Sequence, residues 1–232
     1  MIIKPRIRGF LCTSAHPDGC RADVAEQIAY VERLGAIPSV PGRVLIIGAS
    51  GGYGLASRIV AAFGGGAKTI GVFFERPAAG NRTASAGWYK SAAFAQAAND
   101  AGLYAKNVNG DAFSADMKSH VADLIEADLG QIDLVVYSLA APQRELGDGT
   151  VARSALKPIG EPFEGSTIDL NTGEIRSVSL PPATPDEIAD TVTVMGGSDW
   201  EDWIRVLGER GVLADGCTTV NYTYLGSEFT WP

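Results

Sequence analysis

The apolar run Val44-Leu45-Ile46-Ile47 passes directly into Gly48-Ala49-Ser50-Gly51-Gly52-Tyr53-Gly54 and then into a helical pattern over residues 55–63. No other feature of the chain restricts its fold so strongly. A run without polar alternation suits a strand buried on both faces, as in parallel sheets covered by helices. Glycines spaced Gly-x-x-x-Gly-x-Gly let the chain turn sharply off such a strand. The helix that follows then presents bare N–H groups and a positive dipole end, which favour a phosphate. Glycine patterns of this kind occur by chance, and it is the flanking strand and helix that give this one weight.

The alternation continues downstream. Residues 68–74 read as a second strand, 91–101 as an Ala-rich helix, and 104–109 as a third strand. Residues 114–129 form an amphipathic helix with Met117, Val121, Leu124 and Ile125 on one face, and 133–137 form a fourth strand. Strands separated by helices predict an α/β fold with a doubly wound, mostly parallel sheet and right-handed crossovers. Upstream, Ile28, Val31 and Leu34 predict a helix over 23–34. After Pro142 the character changes: 143–183 are polar, with turn signals at 147–149, 158–160 and 171–173, and read as an insertion containing a hairpin. Thr184-Pro185-Asp186-Glu187 and Ser198-Asp199-Trp200-Glu201 then mark two helix starts. In the second helix, Trp200, Trp203, Ile204 and Leu207 suit a face packed on the core or the lining of an acyl tunnel beside Met195. Asp199, Glu201 and Asp202 suit a solvated first turn. Residues 218–225 suit a further strand. The domains are read as 1–42 (arm and helix), 43–142 (nucleotide-binding core) and 143–232 (insertion, helices and strand).

Charge narrows the function. A net charge of −8 argues against a nucleic-acid partner, because a phosphate backbone needs a basic surface. A single nucleotide held by backbone N–H groups is unaffected by that argument. Cys12, Cys20 and Cys217 show no metal spacing, and sparse unpaired thiols suit a reducing compartment. The chain has no run near the roughly 18 apolar residues of a membrane span, so a cytoplasmic protein is expected. Gly48-Ala49-Ser50-Gly51-Gly52 also fits the Gly-x-Ser-x-Gly elbow of hydrolases. The only histidine after it, His120, falls inside a helix rather than on a loop at the sheet's carboxyl edge, which argues against it as the base.

Further candidates lie where each strand ends. Glu75 follows the second strand, at the position where a carboxylate can accept both ribose hydroxyls of an adenosine and repel a 2′-phosphate. It therefore favours NADH over NADPH, although Arg76 beside it could accommodate the phosphate; the plainer reading is a solvated loop carboxylate. Asp111-Ala112, after the third strand, suit the adenine ring, or Asp111 caps a helix. Leu139-Ala140, after the fourth, suit the nicotinamide ribose or simple packing.

Taken together, MIIKPRIRGF, GASGGYG, GVFFERP, GLYAKNVNGDAFS, LVVYSLAAP, ALKPIG and NYTYLG resemble the trans-2-enoyl-CoA and enoyl-ACP reductases of the FabV type, relatives of the short-chain dehydrogenases. The resemblance runs from Met1 to Pro232. It implies NADH-dependent saturation of the 2,3 double bond of enoyl thioesters, carried by acyl carrier protein or CoA, in fatty-acid synthesis. It implies cofactor contacts at Gly48, Ala49, Ser50, Gly51, Gly52, Tyr53, Phe74, Glu75, Asp111, Ala112, Leu139 and Ala140, and places Tyr224 against the thioester. A monomer is expected, without metal.

In the family, hydride reaches the β-carbon while a tyrosine phenol stabilises the enolate oxygen, and a lysine lowers that tyrosine's pKa. The Tyr-x8-Lys pair is expected just past Pro232. Neither Tyr222 nor Tyr224 has a lysine at that spacing, and the last lysine is Lys157. The resemblance thus implies an N-terminal part without its catalytic pair. Two alternatives remain: a non-catalytic NAD(H)-binding sensor, and a short-chain-type carbonyl reductase, for which the Tyr-x-x-x-Lys signature is missing.

Overall fold

A computed structural model describes residues 3–8, 11–169 and 172–223. These divide into two compact units, residues 3–139 with 202–223, and residues 140–201.

The first unit opens with a short antiparallel pair, β1 (Ile7–Arg8) and β2 (Leu11–Cys12). Helix α1 (Pro17–Leu34) begins six residues before the predicted start at 23. Pro17 takes its first position, and the His16 ring accepts the Gly19 N–H. Then come β3 (Arg43–Ile47), α2 (Gly52–Ile59), a π-helical turn (Val60–Gly64) and β4 (Lys68–Phe73). Helix α3 (Ala86–Asp100), β5 (Ala105–Asn109), α4 (Ala115–Asp128) and β6 (Ile132–Tyr137) follow.

In the second unit, β7 (Gln143–Glu145) pairs with β8 (Val151–Arg153), and β9 (Phe163–Ile168) with β10 (Ile175–Leu180), all antiparallel. The polar stretch therefore holds two hairpins where its turn signals predicted one. Helix α5 (Pro185–Met195) starts with the expected capping box: the Thr184 hydroxyl accepts the Glu187 N–H, and the Glu187 carboxylate accepts the Thr184 N–H. Helix α6 (Ser198–Glu209) runs from the second unit into the first and leads to β11 (Leu213–Asn221).

The central sheet has the order β11-β6-β3-β4-β5, and every pairing is parallel. The chain moves from β3 through β4 to β5, returns to the other side of β3 for β6, and continues to β11. This is the doubly wound α/β arrangement that the strand-helix alternation predicts, with its switch point between β3 and β6. Val44, Leu45, Ile46 and Ile47 are all fully buried, which explains why β3 has no polar alternation. Val24, Ile28 and Val31 of α1 pack with Leu55, Ile59, Phe94 and Ala98 of α2 and α3. Of the predicted stripe Ile28 and Val31 are buried, driven by removal of apolar surface from water, whereas Leu34, in the last turn of α1, is exposed. Among the described residues no helix is long and apolar enough to cross a membrane.

Candidate functional site

The glycine loop leaves the carboxyl end of β3 and enters α2, with its three pattern glycines in two different roles. Gly48 has φ +86°, and a Cβ there would lie 2.2 Å from the Ser138 carbonyl oxygen at the end of β6. At Gly54 a Cβ would lie 2.1 Å from the Gly48 carbonyl oxygen. Both are backbone encounters, so these positions let loop, helix and neighbouring strand close on one another. Around Gly51 and Gly52 a Cβ would meet nothing within 4 Å. No side chain caps α2 at Gly51. An open face over bare helical N–H groups is the geometry a pyrophosphate requires.

Glu75 sits two residues past β4, and its Oε1 accepts a 2.7 Å hydrogen bond from the Ser50 hydroxyl. The carboxylate is thus tied to the glycine loop, while Oε2 has no hydrogen-bond partner among the described residues. The Asn109 side chain grips the backbone of the same residue: its Oδ1 accepts the Glu75 N–H (2.7 Å) and its Nδ2 donates to the Glu75 carbonyl (3.1 Å). Ser50 is committed to a carboxylate and His120 is exposed on α4, so the hydrolase elbow is not assembled. Phe74 is largely exposed.

Beyond β5, Asp111 Oδ1 accepts the Phe113 N–H, and the cap of α4 is Ser114, whose hydroxyl accepts the Met117 N–H. Asp111 therefore shapes the loop ahead of the helix. The Ala112 carbonyl accepts the indole N–H of the fully buried Trp203 at 3.1 Å. Trp203 and Leu207 pack in the core, as one of the two readings of that helix face requires. The acidic first turn of α6 is solvated, as predicted, at Glu201 but not at Asp199, while Asp202 is half-buried. Asp199 is buried with Oδ1 3.6 Å from Arg144 Nη2. Asp202 lies 2.6 Å from the ammonium of Lys118, a lysine at 1% exposure. Both partners are distant in sequence, and helical spacing carries no trace of them.

Beside α2, the rings of Tyr53 and Tyr222 stack with centroids 5.1 Å apart, and the Tyr222 and Ser57 hydroxyls lie 2.9 Å apart. Leu139 is half-buried and Ala140 exposed at the end of β6. Tyr224 lies outside the described residues.

Beneath the loop, Arg58 of α2 is fully buried, and its hydrogen-bond partners among the described residues are neutral. It donates to Thr69 Oγ1, Asn107 Oδ1 and the Lys106 carbonyl, and its guanidinium lies 4.4 Å from the Phe94 ring centroid. Burial pushes it down to about 9. Gly71 makes the room, since a Cβ there would be 2.4 Å from Arg58 Nη1. Neither residue carries a sequence motif. Among the described residues no group of His, Cys, Asp and Glu could hold a metal.

The residues at these strand ends fit a dinucleotide: an open phosphate cradle, and a fixed carboxylate with one oxygen unpartnered among the described residues. Such a loop at the switch point of a five-stranded parallel sheet defines a Rossmann-type protein. The family model described as the trans-2-enoyl-CoA reductase catalytic region matches residues 82–232. That described as the NAD(P)H binding domain of trans-2-enoyl-CoA reductase matches residues 2–80. The chain belongs to the trans-2-enoyl-CoA reductase family.

Among curated relatives, it is 60% identical over 233 residues to the enoyl-[acyl-carrier-protein] reductase [NADH] 1 of Vibrio cholerae, covering 100% of this chain and 58% of the relative. It is also 60% identical to the enoyl-[acyl-carrier-protein] reductase [NADH] of Edwardsiella ictaluri, covering 100% of this chain and 59% of that one. The crystal structure of Treponema denticola trans-2-enoyl-CoA reductase in complex with NAD superposes with TM-score 0.92 at 46% identity, covering 98% of this chain and 59% of that one. That of the Clostridium acetobutulicum enzyme in complex with NADH gives 0.94 at 43%, covering 100% and 58%. The chain thus spans under three-fifths of the length of the relatives it matches.

Proposed function

We propose that this chain is the NADH-binding part of a protein that reduces the 2,3 double bond of trans-2-enoyl thioesters. The observation that carries this reading is the joined pair of Ser50 and Glu75 at the mouth of an open glycine cradle. The names of the similar proteins support it, since they are NADH-dependent reductases of enoyl-acyl-carrier-protein and trans-2-enoyl-CoA reductases.

In this account the N–H groups of residues 48–53 (Gly48, Ala49, Ser50, Gly51, Gly52 and Tyr53) hold the pyrophosphate against the positive end of α2. Phe74 and Glu75 flank the adenosine ribose. The Glu75 carboxylate accepts its hydroxyls and repels a 2′-phosphate, which favours NADH over NADPH. Asp111 and Ala112 lie along the adenine, with the Ala112 carbonyl already committed to Trp203. Leu139 and Ala140 let the backbone approach the nicotinamide ribose, and Tyr224 orients the thioester. Bound NADH supplies the hydride that the β-carbon receives. Turnover is assigned to the whole protein and binding to this chain, because no tyrosine here has a lysine at Tyr-x8-Lys spacing. The thioester carrier is acyl carrier protein or CoA.

The test is NADH oxidation by the full-length protein with crotonyl-CoA and with longer enoyl thioesters on CoA or carrier protein. Turnover of at least one enoyl thioester is expected. Inactivity on all of them together with reduction of a simple ketone would overturn the assignment.

A further inference from the structure

We propose that Gly87 and Asn109 are positioning residues that set the nucleotide preference by fixing the carboxylate of Glu75; this rests on the reading of Glu75 given above. The ladder between β4 and β5 ends at the pair Phe73 and Asn109. Glu75 lies two residues beyond, where a free strand end would leave its backbone unheld. The Asn109 carboxamide replaces the missing peptide group, accepting the Glu75 N–H and donating to its carbonyl. A side-chain amide has the donor and acceptor of a peptide, so it can extend a ladder by one step. The root of the Glu75 side chain is fixed in this way.

Gly87 fixes the other end. It is the second residue of α3, and its φ is not among the positive values of the chain, so no backbone conformation calls for glycine there. Helix propensity argues against it as well. Space accounts for it: a Cβ at Gly87 would lie 2.0 Å from Glu75 Oε1, 2.4 Å from its Cδ and 2.8 Å from Ser50 Cβ. Any side chain there drives the carboxylate out of the position in which Ser50 holds it. The glycine thus admits the joined Ser50–Glu75 pair.

The two nearest atoms belong to the free end of a flexible side chain, so Gly87→Ala is expected to fold, with Glu75 displaced. The measurement is titration of the chain with NADH and, separately, with NADPH, for wild type, Glu75→Ala, Gly87→Ala, the double variant and Asn109→Ala, each checked by thermal unfolding. Losing hydrogen bonds to a charged acceptor is expected to lower the NADH-over-NADPH binding ratio about tenfold in Glu75→Ala and nearly as much in Gly87→Ala. In the double variant Gly87→Ala should add nothing, because both act through one carboxylate. Asn109→Ala is expected to lower the ratio about threefold, and it decides the matter if Gly87→Ala does not fold. If Glu75→Ala shifts the ratio while Gly87→Ala and Asn109→Ala leave it unchanged, the positioning role is wrong and the reading of Glu75 stands. An additive effect in the double variant also overturns it. An unchanged ratio in Glu75→Ala removes the reading itself, and the proposal with it.

Discussion

The Ser50 hydroxyl donates a 2.7 Å hydrogen bond to Glu75 Oε1, joining the loop after β3 to the end of β4. A phosphate cradle and a ribose-reading carboxylate are two motifs in sequence and one unit in space. Ser50→Ala should leave the fold intact, since the glutamate end is partly exposed. It should weaken NADH binding about fivefold by releasing the carboxylate. Titration of the variant checks this, and unchanged affinity would mean that the bond does not order Glu75.

The glycines of the loop should separate by role. Gly51 has an extended backbone and open space around it, so Gly51→Ala is expected to unfold at the wild-type temperature and to lose at least tenfold in NADH affinity. Gly48→Ala meets the Ser138 carbonyl at a positive φ and is expected to cost about 3 kcal/mol of stability. Equal effects of the two substitutions on thermal unfolding would contradict the division.

Lys118 and Asp202 form an asymmetric pair, because the lysine is buried and the aspartate a third exposed. Removing the aspartate leaves a buried ammonium, whereas removing the lysine leaves a carboxylate that also meets Arg205. Asp202→Asn is therefore expected to destabilise by about 3 kcal/mol and Lys118→Met by clearly less. Denaturant unfolding of the two variants gives the order, and the reverse order would show that the charge of Lys118 is not effectively buried.

The Arg43 side chain hydrogen-bonds both oxygens of Asp133, at 2.6 and 3.0 Å, and its backbone N–H donates to Oδ2 at 2.9 Å. Hydrogen bonding from the Arg43 side chain holds this carboxyl below its ordinary value. The folded value is the lower one, so the contribution is complete above the unfolded carboxylate pKa and is lost as pH falls through the folded value. Asp133→Asn should cost about 1 kcal/mol at neutral pH, the pair being partly exposed. The gap between wild type and variant should begin to narrow as pH falls to about 4 and go on narrowing below it. A gap that does not narrow at all as pH falls below the ordinary carboxylate range would show that charge is not its source.

The parts legible in the sequence are those set by neighbours along the chain. The run from Val44 to Ile47 announced a strand buried on both faces, and the glycine spacing announced the turn into α2. Thr184 and Glu187 announced the start of α5. Features made by distant partners left no local mark. Arg58 in α2 gives no sign of Thr69, Asn107 and the Lys106 carbonyl beneath it. Asp199 looked like a solvated helix start because Arg144 lies 55 residues away in sequence. Glu75 was legible as a carboxylate after a strand, whereas Asn109, which holds its backbone, looked like an ordinary strand residue, and Gly87 lay ahead of the helix read over 91–101, which in the structure starts at Ala86. Helix α1 was read six residues short because a histidine, an uncommon cap, opens it.

Saturable nucleotide binding by this chain tests the central claim most directly. Calorimetric titration with NADH and then with NADPH is expected to give one site per chain, with NADH bound about tenfold more tightly. Absence of saturable NADH binding by the folded chain, or equal affinity for the two nucleotides, would contradict the account.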